Sequence, residues 1–154
     1  MLRKEKRLIY VGSDHAGYEM KNNLKDYLND KFEVIDLGVF STASFDYPDI
    51  AREVGEKVLE GKNSLGVLIC GTGIGMSMAA NKLRGIRAAS CTSVEMAEMA
   101  RRHNNANIVT LGARIIELET AKKIVDKFIE TDFESSEERH VRRVQKMDAL
   151  RDLK

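Results

Sequence analysis

The sequence predicts an α/β protein in three layers, with helices wound onto both faces of a five-stranded parallel sheet and an extra helix at the C-terminus. Three observations carry this. Short apolar runs alternate with longer stretches of helical period, the pattern of strand–helix units around a parallel sheet. The third run, Gly66 to Cys70, is apolar throughout, as a central strand covered on both faces requires. The polar and reactive residues gather just after the runs, at the carboxyl edge where open parallel sheets hold ligands.

The elements follow in order. Leu8 to Val11 is the first strand, ending in Gly12-Ser13-Asp14, and Met20, Leu24 and Leu28 mark one buried helix face behind it. Phe32 to Leu37 is the second strand, closed by Gly38. A polar loop leads to Tyr47-Pro48, and the lone proline suits the opening turn of a helix carrying Ile50, Val54 and Val58 and fading at Gly61. After the third strand comes a glycine loop, then a helix holding Met78, Ala79 and Asn81. Ile86 to Ser90 is the fourth strand. Thr92-Ser93-Val94-Glu95 reads as a capping box opening a helix that ends near His103. Asn107 to Leu111 is the fifth strand and Leu118 to Ile129 the next helix. Ser135 and Glu138 form a second expected capping box, and Val141, Val144, Met147 and Leu150 give the C-terminal helix an apolar stripe. The result is one Rossmann-like domain over 1–154, with 1–7 as an N-terminal extension without a role and 135–152 as the C-terminal helix.

Composition excludes several classes of function. The formal net charge of +1 over 154 residues offers no broad basic field for nucleic acid. The two cysteines, Cys70 and Cys91, suggest neither a disulfide framework nor a zinc cluster, and a reducing compartment suits them. The charged N-terminus and the short apolar run after it make neither a signal peptide nor a membrane span. A cytoplasmic protein that binds no membrane is expected.

On this map the first strand delivers Ser13, Asp14 and His15 to the ligand edge. The third delivers Cys70, Gly71, Thr72, Gly73 and Gly75, with Ser77 just beyond, and the fifth delivers Gly112 and Arg114. The stretch from Cys70 to Ser77 is not a dinucleotide fingerprint, because Met76 stands where a third glycine belongs. On its residues alone the loop is either an anion site for a phosphate or a reaction oxyanion, or a plain tight turn. Cys70 is either a thiol activated for proton transfer or a small buried hydrophobe, whereas Cys91 reads as the latter. His15 with Asp14 is a ligand-binding pair or a helix cap. Arg139 and Arg143, one turn apart, form a fork for phosphate or a solvated charged face. Met96 and Met99 read as core residues. His103-Asn104 falls at the far end of a helix that starts at the ligand edge. His103 is therefore an ordinary helix-terminal histidine or a contributor to a neighbouring subunit's site.

From about Leu8 to Met147 the chain resembles the ribose-5-phosphate isomerase B family, which includes the galactose-6-phosphate isomerase subunits. The resemblance rests on Ser13-Asp14-His15-Ala16-Gly17, Asp46-Tyr47-Pro48, Cys70-Gly71-Thr72-Gly73-Ile74-Gly75, Ala79-Ala80-Asn81-Lys82, Gly85-Ile86-Arg87-Ala88, His103-Asn104, and Arg139-His140 with Arg143. It implies a metal- and cofactor-independent isomerase of D-ribose 5-phosphate and D-ribulose 5-phosphate, a step of the pentose phosphate pathway. The assembly would be a homodimer or dimer of dimers with sites shared between subunits. Cys70 would move a proton between C1 and C2 of the opened sugar, and Thr72 with the amides from Gly71 to Gly75 would hold the enediolate. His103 would open the ring from the partner subunit, joined by Asn104. Asp14, Tyr47 and Ser77 would contact the substrate, and His15, Arg114, Arg139 and Arg143 its phosphate. One branch of the family uses a glutamate at the position of Met76; the presence of Cys70 favours the cysteine branch. Glu134 to Glu138 replaces a short glycine-containing turn and is a residue longer. A six-carbon substrate, allose 6-phosphate or galactose 6-phosphate, is the alternative.

Overall fold

The computed structural model describes residues 7–150. Five strands, β1 (Leu8–Ser13), β2 (Glu33–Asp36), β3 (Ser64–Cys70), β4 (Ala88–Ser90) and β5 (Ile108–Gly112), form one parallel sheet in the order β2-β1-β3-β5-β4. The helices are α1 (Tyr18–Asn29), α2 (Tyr47–Glu60), α3 (Ile74–Ala80), α4 (Val94–Asn104), α5 (Leu118–Glu130) and α6 (Glu138–Ala149). Period-two alternation in β1 sorts its side chains between two cores. Ile9 and Val11 join Leu24, Ile124 and Phe128 beneath α1, α4 and α5, while Tyr10 joins Val54, Leu68 and Met76 beneath α2 and α3. The strand order reverses between β1 and β3, whose register sets Ser13 opposite Ile69. That crevice is where a doubly wound sheet receives a ligand.

The expected elements are all present, with ends that move by one to three residues. The fourth strand shortens to Ala88–Ser90, and the third begins earlier, at Ser64. Two caps differ from expectation. Ser93, not Thr92, caps α4, its side chain accepting from the Met96 amide at 3.2 Å. Ser135 caps nothing. The turn from Glu134 to Glu137 carries the chain into α6, Glu137 takes the N-cap position without a side-chain bond, and Glu138 is already helical. The C-terminal helix therefore starts at Glu138 rather than 135, and 151–152 lie outside the described residues. Within the supposed inert extension, Arg7 reaches Asp132 at 2.7 Å, so this residue ties the start of β1 to the segment after α5; 1–6 lie outside the described residues.

One polar pair reaches into the interior. Lys21 on α1 is entirely buried, and its Nζ meets both carboxylate oxygens of Asp36, at 2.7 and 2.8 Å. Asp36 also accepts from the Gly38 amide at 2.9 Å, which anchors the start of the loop between β2 and α2. A buried pair like this contributes little net stability, but removing Asp36 alone costs about 3–5 kcal/mol, because the buried Lys21 charge is left unpaired; Asp36 has a second cation in Lys25, 3.5 Å away. The loop that borders the crevice is thus tethered from beneath.

Candidate active site

Two groups of side chains stand out, and they lie at opposite ends of the sheet. The first surrounds the switch point. Cys70 closes β3 and is 4 % exposed, its side chain in the core shared with Met76 and Ala80. Its Sγ nevertheless accepts a hydrogen bond from the Gly73 amide at 3.2 Å. Gly73 sits at φ +81°, a left-handed conformation that curls the loop back toward the sulfur and suits a residue without Cβ. The Thr72 hydroxyl, exposed at the tip of the loop, accepts from the Ile74 amide at 3.3 Å and keeps its own proton free to donate. The Tyr47 ring lies so close to Gly75 that a Cβ there would come within 2.6 Å of it, and a Cβ on Gly71 would lie 2.9 Å from Arg114 Nη1. Tyr47 and Arg114 therefore flank the loop on two sides.

Asp14 is buried, and its Oδ1 accepts from the Gly17 amide at 3.1 Å. This braces the turn before α1 without capping the helix, whose N-cap is Gly17 and has no side-chain bond, and the second carboxylate oxygen is left over. His15 Nδ1 accepts from the Phe45 amide at 3.2 Å. That bond assigns the neutral tautomer, in which Nε2 carries the proton and can donate to an anion. Asp14, His15 and Tyr47 line a cavity of about 520 Å³ together with Asp46 and Asp49. Ser77 lies in the first turn of α3 with its hydroxyl 3.4 Å from the Ala88 carbonyl, turned toward β4. Asn81 pairs its side-chain amide with both backbone groups of Ala88, at 2.7 and 2.9 Å, and so fixes the edge strand to α3.

The second group lies where α4 ends. An 11-residue helix is about 16 Å long, so His103 and Asn104 stand that far from the Ser93 cap. His103 stacks on His140 of α6, ring centroids 4.3 Å apart and planes inclined by 20°. His140 is 4 % exposed, and its buried Nε2 has no hydrogen-bond partner, although Glu134 Oε2 is 3.5 Å away. Glu134 is held in turn by Arg102, whose guanidinium contacts its Oε1 and holds its carboxyl below the usual carboxylate range. Burial, followed by the charges of His103 and Arg139, pushes the His140 imidazole below its ordinary value. Arg139 and Arg143 are exposed on α6, and Asn104 is exposed on α4. Among the described residues no hydrogen bond, ion pair or ring contact joins this group to the first.

His103, Glu134 and His140 also form a set of ligand types, their donor atoms within 4.8 Å of one another. A common ion at bonds of about 2.0–2.1 Å needs convergent in-plane lone pairs. Two rings stacked at 4.3 Å lie in separate, nearly parallel planes that one ion does not share, and Arg102 already occupies Glu134. As placed, the trio is a stacked pair with a buttress rather than a coordination shell. Cys91 is buried 2 % exposed and desolvation pushes its thiol up to about 11, which leaves it inert. Met96 departs from the expected core role. It is 44 % exposed, with its sulfur accepting from the Thr92 hydroxyl at 3.4 Å.

Residues 9–147 match the family described as Ribose/Galactose Isomerase. The chain belongs to that family. Like its other members it is an aldose–ketose isomerase. It is 41% identical over 143 residues to ribose-5-phosphate isomerase B of Escherichia coli, covering 92% of this chain and 95% of that one. It is 42% identical over 128 residues to D-erythrulose-4-phosphate isomerase of Pectobacterium atrosepticum, covering 82% and 84%. A solved structure of Clostridium thermocellum ribose-5-phosphate isomerase B superposes with a TM-score of 0.91 at 45% identity, covering 94% and 97%. No described helix is long and apolar enough to cross a membrane.

Sequence reasoning quoted His140 only as part of a motif and Glu134 only as part of an altered turn. Their contact with His103 joins residues more than thirty positions apart. The one available signal was the pairing of a C-terminal arginine–histidine dipeptide with the misplaced His103.

Proposed function

We propose that this isomerase interconverts D-ribose 5-phosphate and D-ribulose 5-phosphate through an enediolate, with Cys70 as the base and with each site shared between two copies of the chain. The observation that carries the chemistry is the Gly73 amide on Cys70 Sγ. Sulfur held by a backbone donor at the end of a central strand is placed to take a carbon-bound proton. Starting from the opened aldose, Cys70 removes the proton on C2, the C1=C2 bond forms, and O1 takes the negative charge. The O2 proton passes to O1, the thiol returns its proton to C1, and C2=O2 closes as the ketone. The Gly73 and Ile74 amides are already committed, so the enediolate oxygens fall to the Thr72 hydroxyl and the remaining loop amides. His103 opens the furanose first. It gives a proton to the ring oxygen as C1–O4 breaks, then takes the O1 proton as C1=O1 forms.

Charge supports the sharing. On its own side the cavity near His15 is bordered by Asp14, Asp46 and Asp49, a poor setting for a phosphate dianion. The exposed Arg139 and Arg143 that would complement it lie with His103, at the other end of the same chain. The α6 stripe agrees. Val144 is buried but Met147 and Leu150 are 40% and 63% exposed, apolar surface a second copy would cover. Homodimeric assembly and a cytoplasmic setting within pentose phosphate metabolism belong to this same proposal.

Mixed dimers test it. Assayed from ribose 5-phosphate, Cys70→Ala subunits alone are inactive and His103→Ala subunits alone fall toward the floor set by spontaneous ring opening. Randomly reassembled one to one, they regain about a quarter of wild-type activity if Cys70 and His103 come from different chains, since half the dimers carry one intact site of two. Sites contained within one chain give no recovery, which would end the shared-site proposal. The relative from Pectobacterium acts by name on a four-carbon substrate. Comparing kcat/KM on four-, five- and six-carbon sugar phosphates therefore checks the choice of ribose 5-phosphate, and a clear preference for erythrulose 4-phosphate or allose 6-phosphate would replace it.

A further inference from the structure

The His140 ring has no place in the chemistry just described, yet it is built into the molecule at a cost. It is 4 % exposed and its Nε2 is buried without a hydrogen bond. Native structures satisfy nearly all such atoms, and a retained exception asks for a reason. Three elements converge on it: His103 and Arg102 from α4, Glu134 from the loop after α5, and Glu137 and Arg139 from the start of α6. The groups are ordered. Arg102 holds Oε1 of Glu134, the Glu134 amide donates to the Arg102 carbonyl at 3.1 Å, and the other oxygen, Oε2, stands 3.5 Å from His140 Nε2. The opposite side of that arrangement is the face of His103.

We infer that His140, aimed by Glu134, is a positioning residue for His103: a flat imidazole platform that fixes the plane of the ring that opens the sugar. This rests on the ring-opening role proposed for His103. Stacking at 4.3 Å restricts rotation of His103 about its side-chain bonds, and half-buried histidines otherwise sample several rotamers. The Nε2 to Glu134 distance is long for a hydrogen bond, as catalytic contacts often are before substrate arrives, and a shift of a few tenths of an ångström would close it. The depressed basicity of His140 fits the same role. A neutral platform leaves His103 as the proton carrier, whereas two stacked imidazolium ions would repel.

Direction of reaction separates positioning from general support. Ribose 5-phosphate is a closed furanose and must be opened. Ribulose 5-phosphate carries its phosphate on the oxygen a furanose would need and is already open. Initial velocity is measured against enzyme concentration from each sugar, for wild type, His103→Ala, His140→Phe and Glu134→Gln, with thermal melts of each. In wild type both velocities rise in proportion to enzyme. In His140→Phe the protein folds, the slope from ribose 5-phosphate falls about 10- to 100-fold toward the floor set by spontaneous opening, and the slope from ribulose 5-phosphate stays within about threefold. Glu134→Gln keeps the ring in place and shows the same asymmetry to a lesser degree; it carries the test alone if His140→Phe does not fold. Equal losses in both directions, or none in either, overturn the inference. If His103→Ala itself shows no asymmetry, the failure lies in the ring-opening role beneath, and a wild type silent on both sugars removes the whole pentose reading.

Discussion

The carboxyl edge of β3 and the corner where α4 meets α6 solve different problems with different materials. At β3 the proposed chemistry would be held by backbone: a left-handed glycine turns an amide onto a sulfur, and two further glycines let Tyr47 and Arg114 approach the loop. At the α4–α6 corner the converging groups are side chains, two stacked imidazoles, a carboxylate and an arginine brought together from distant parts of the chain. Backbone donors do not move when charge develops, and that is where an enediolate needs them. Side chains can carry protons and grip a phosphate. The first region should fail by losing the chemical step, the second by losing substrate capture and ring opening.

The sharpest way to break that division is at Cys70. Cys70→Ala should lower kcat by about two to four orders of magnitude, from loss of the proposed proton carrier, while leaving affinity for ribose 5-phosphate close to wild type. Steady-state kinetics with calorimetric titration would check both halves. A variant that keeps its kcat, or one that loses binding as fully as turnover, would collapse the distinction between the two regions.

The two regions were also unequally legible. Strand ends follow from apolar runs, so Cys70, Asp14 and Arg114 could be placed at one edge from sequence, and the glycine spacing announced a tight loop. What could not be read was whether the sulfur meets an amide, because that depends on the sign of φ at Gly73. The corner was visible only as a puzzle, a histidine at the wrong end of its helix. Its resolution depends on α6 lying across α4 so that His140 meets His103, a tertiary contact with no periodic signature. Errors elsewhere were local. Thr92 and Ser93 offer the same hydroxyl one residue apart, and the structure used the second. Met96 is expected in the core as a methionine usually is, but it faces outward at 44% exposure.

A smaller effect is expected at Arg143. It is exposed on α6, and the phosphate grip proposed for it would be made in ground and transition states alike, so Arg143→Ala should raise KM about tenfold with kcat nearly unchanged. A fall confined to kcat would move Arg143 from capture to chemistry and blur the contrast with Cys70.

The least effect, and the most specific to the corner, is on stability. The folded His140 titrates below its ordinary value of 6.5, through burial first and then the charges of His103 and Arg139. The unfolded chain therefore binds the more protons as pH drops, and ∂ΔG/∂pH is positive in that window. The stability tied to a neutral His140 is whole above about pH 6.5 and is lost as pH falls through the lower folded value. Glu134, also shifted down from 4.5, titrates beneath this window and does not mask it. Thermal melts from pH 7.5 to 5 should show wild type losing more Tm than His140→Phe, which has nothing to protonate there. If the two lose Tm in parallel, the ring is free to charge in the folded protein, and the α4–α6 corner is a softer, wetter place than its burial implies.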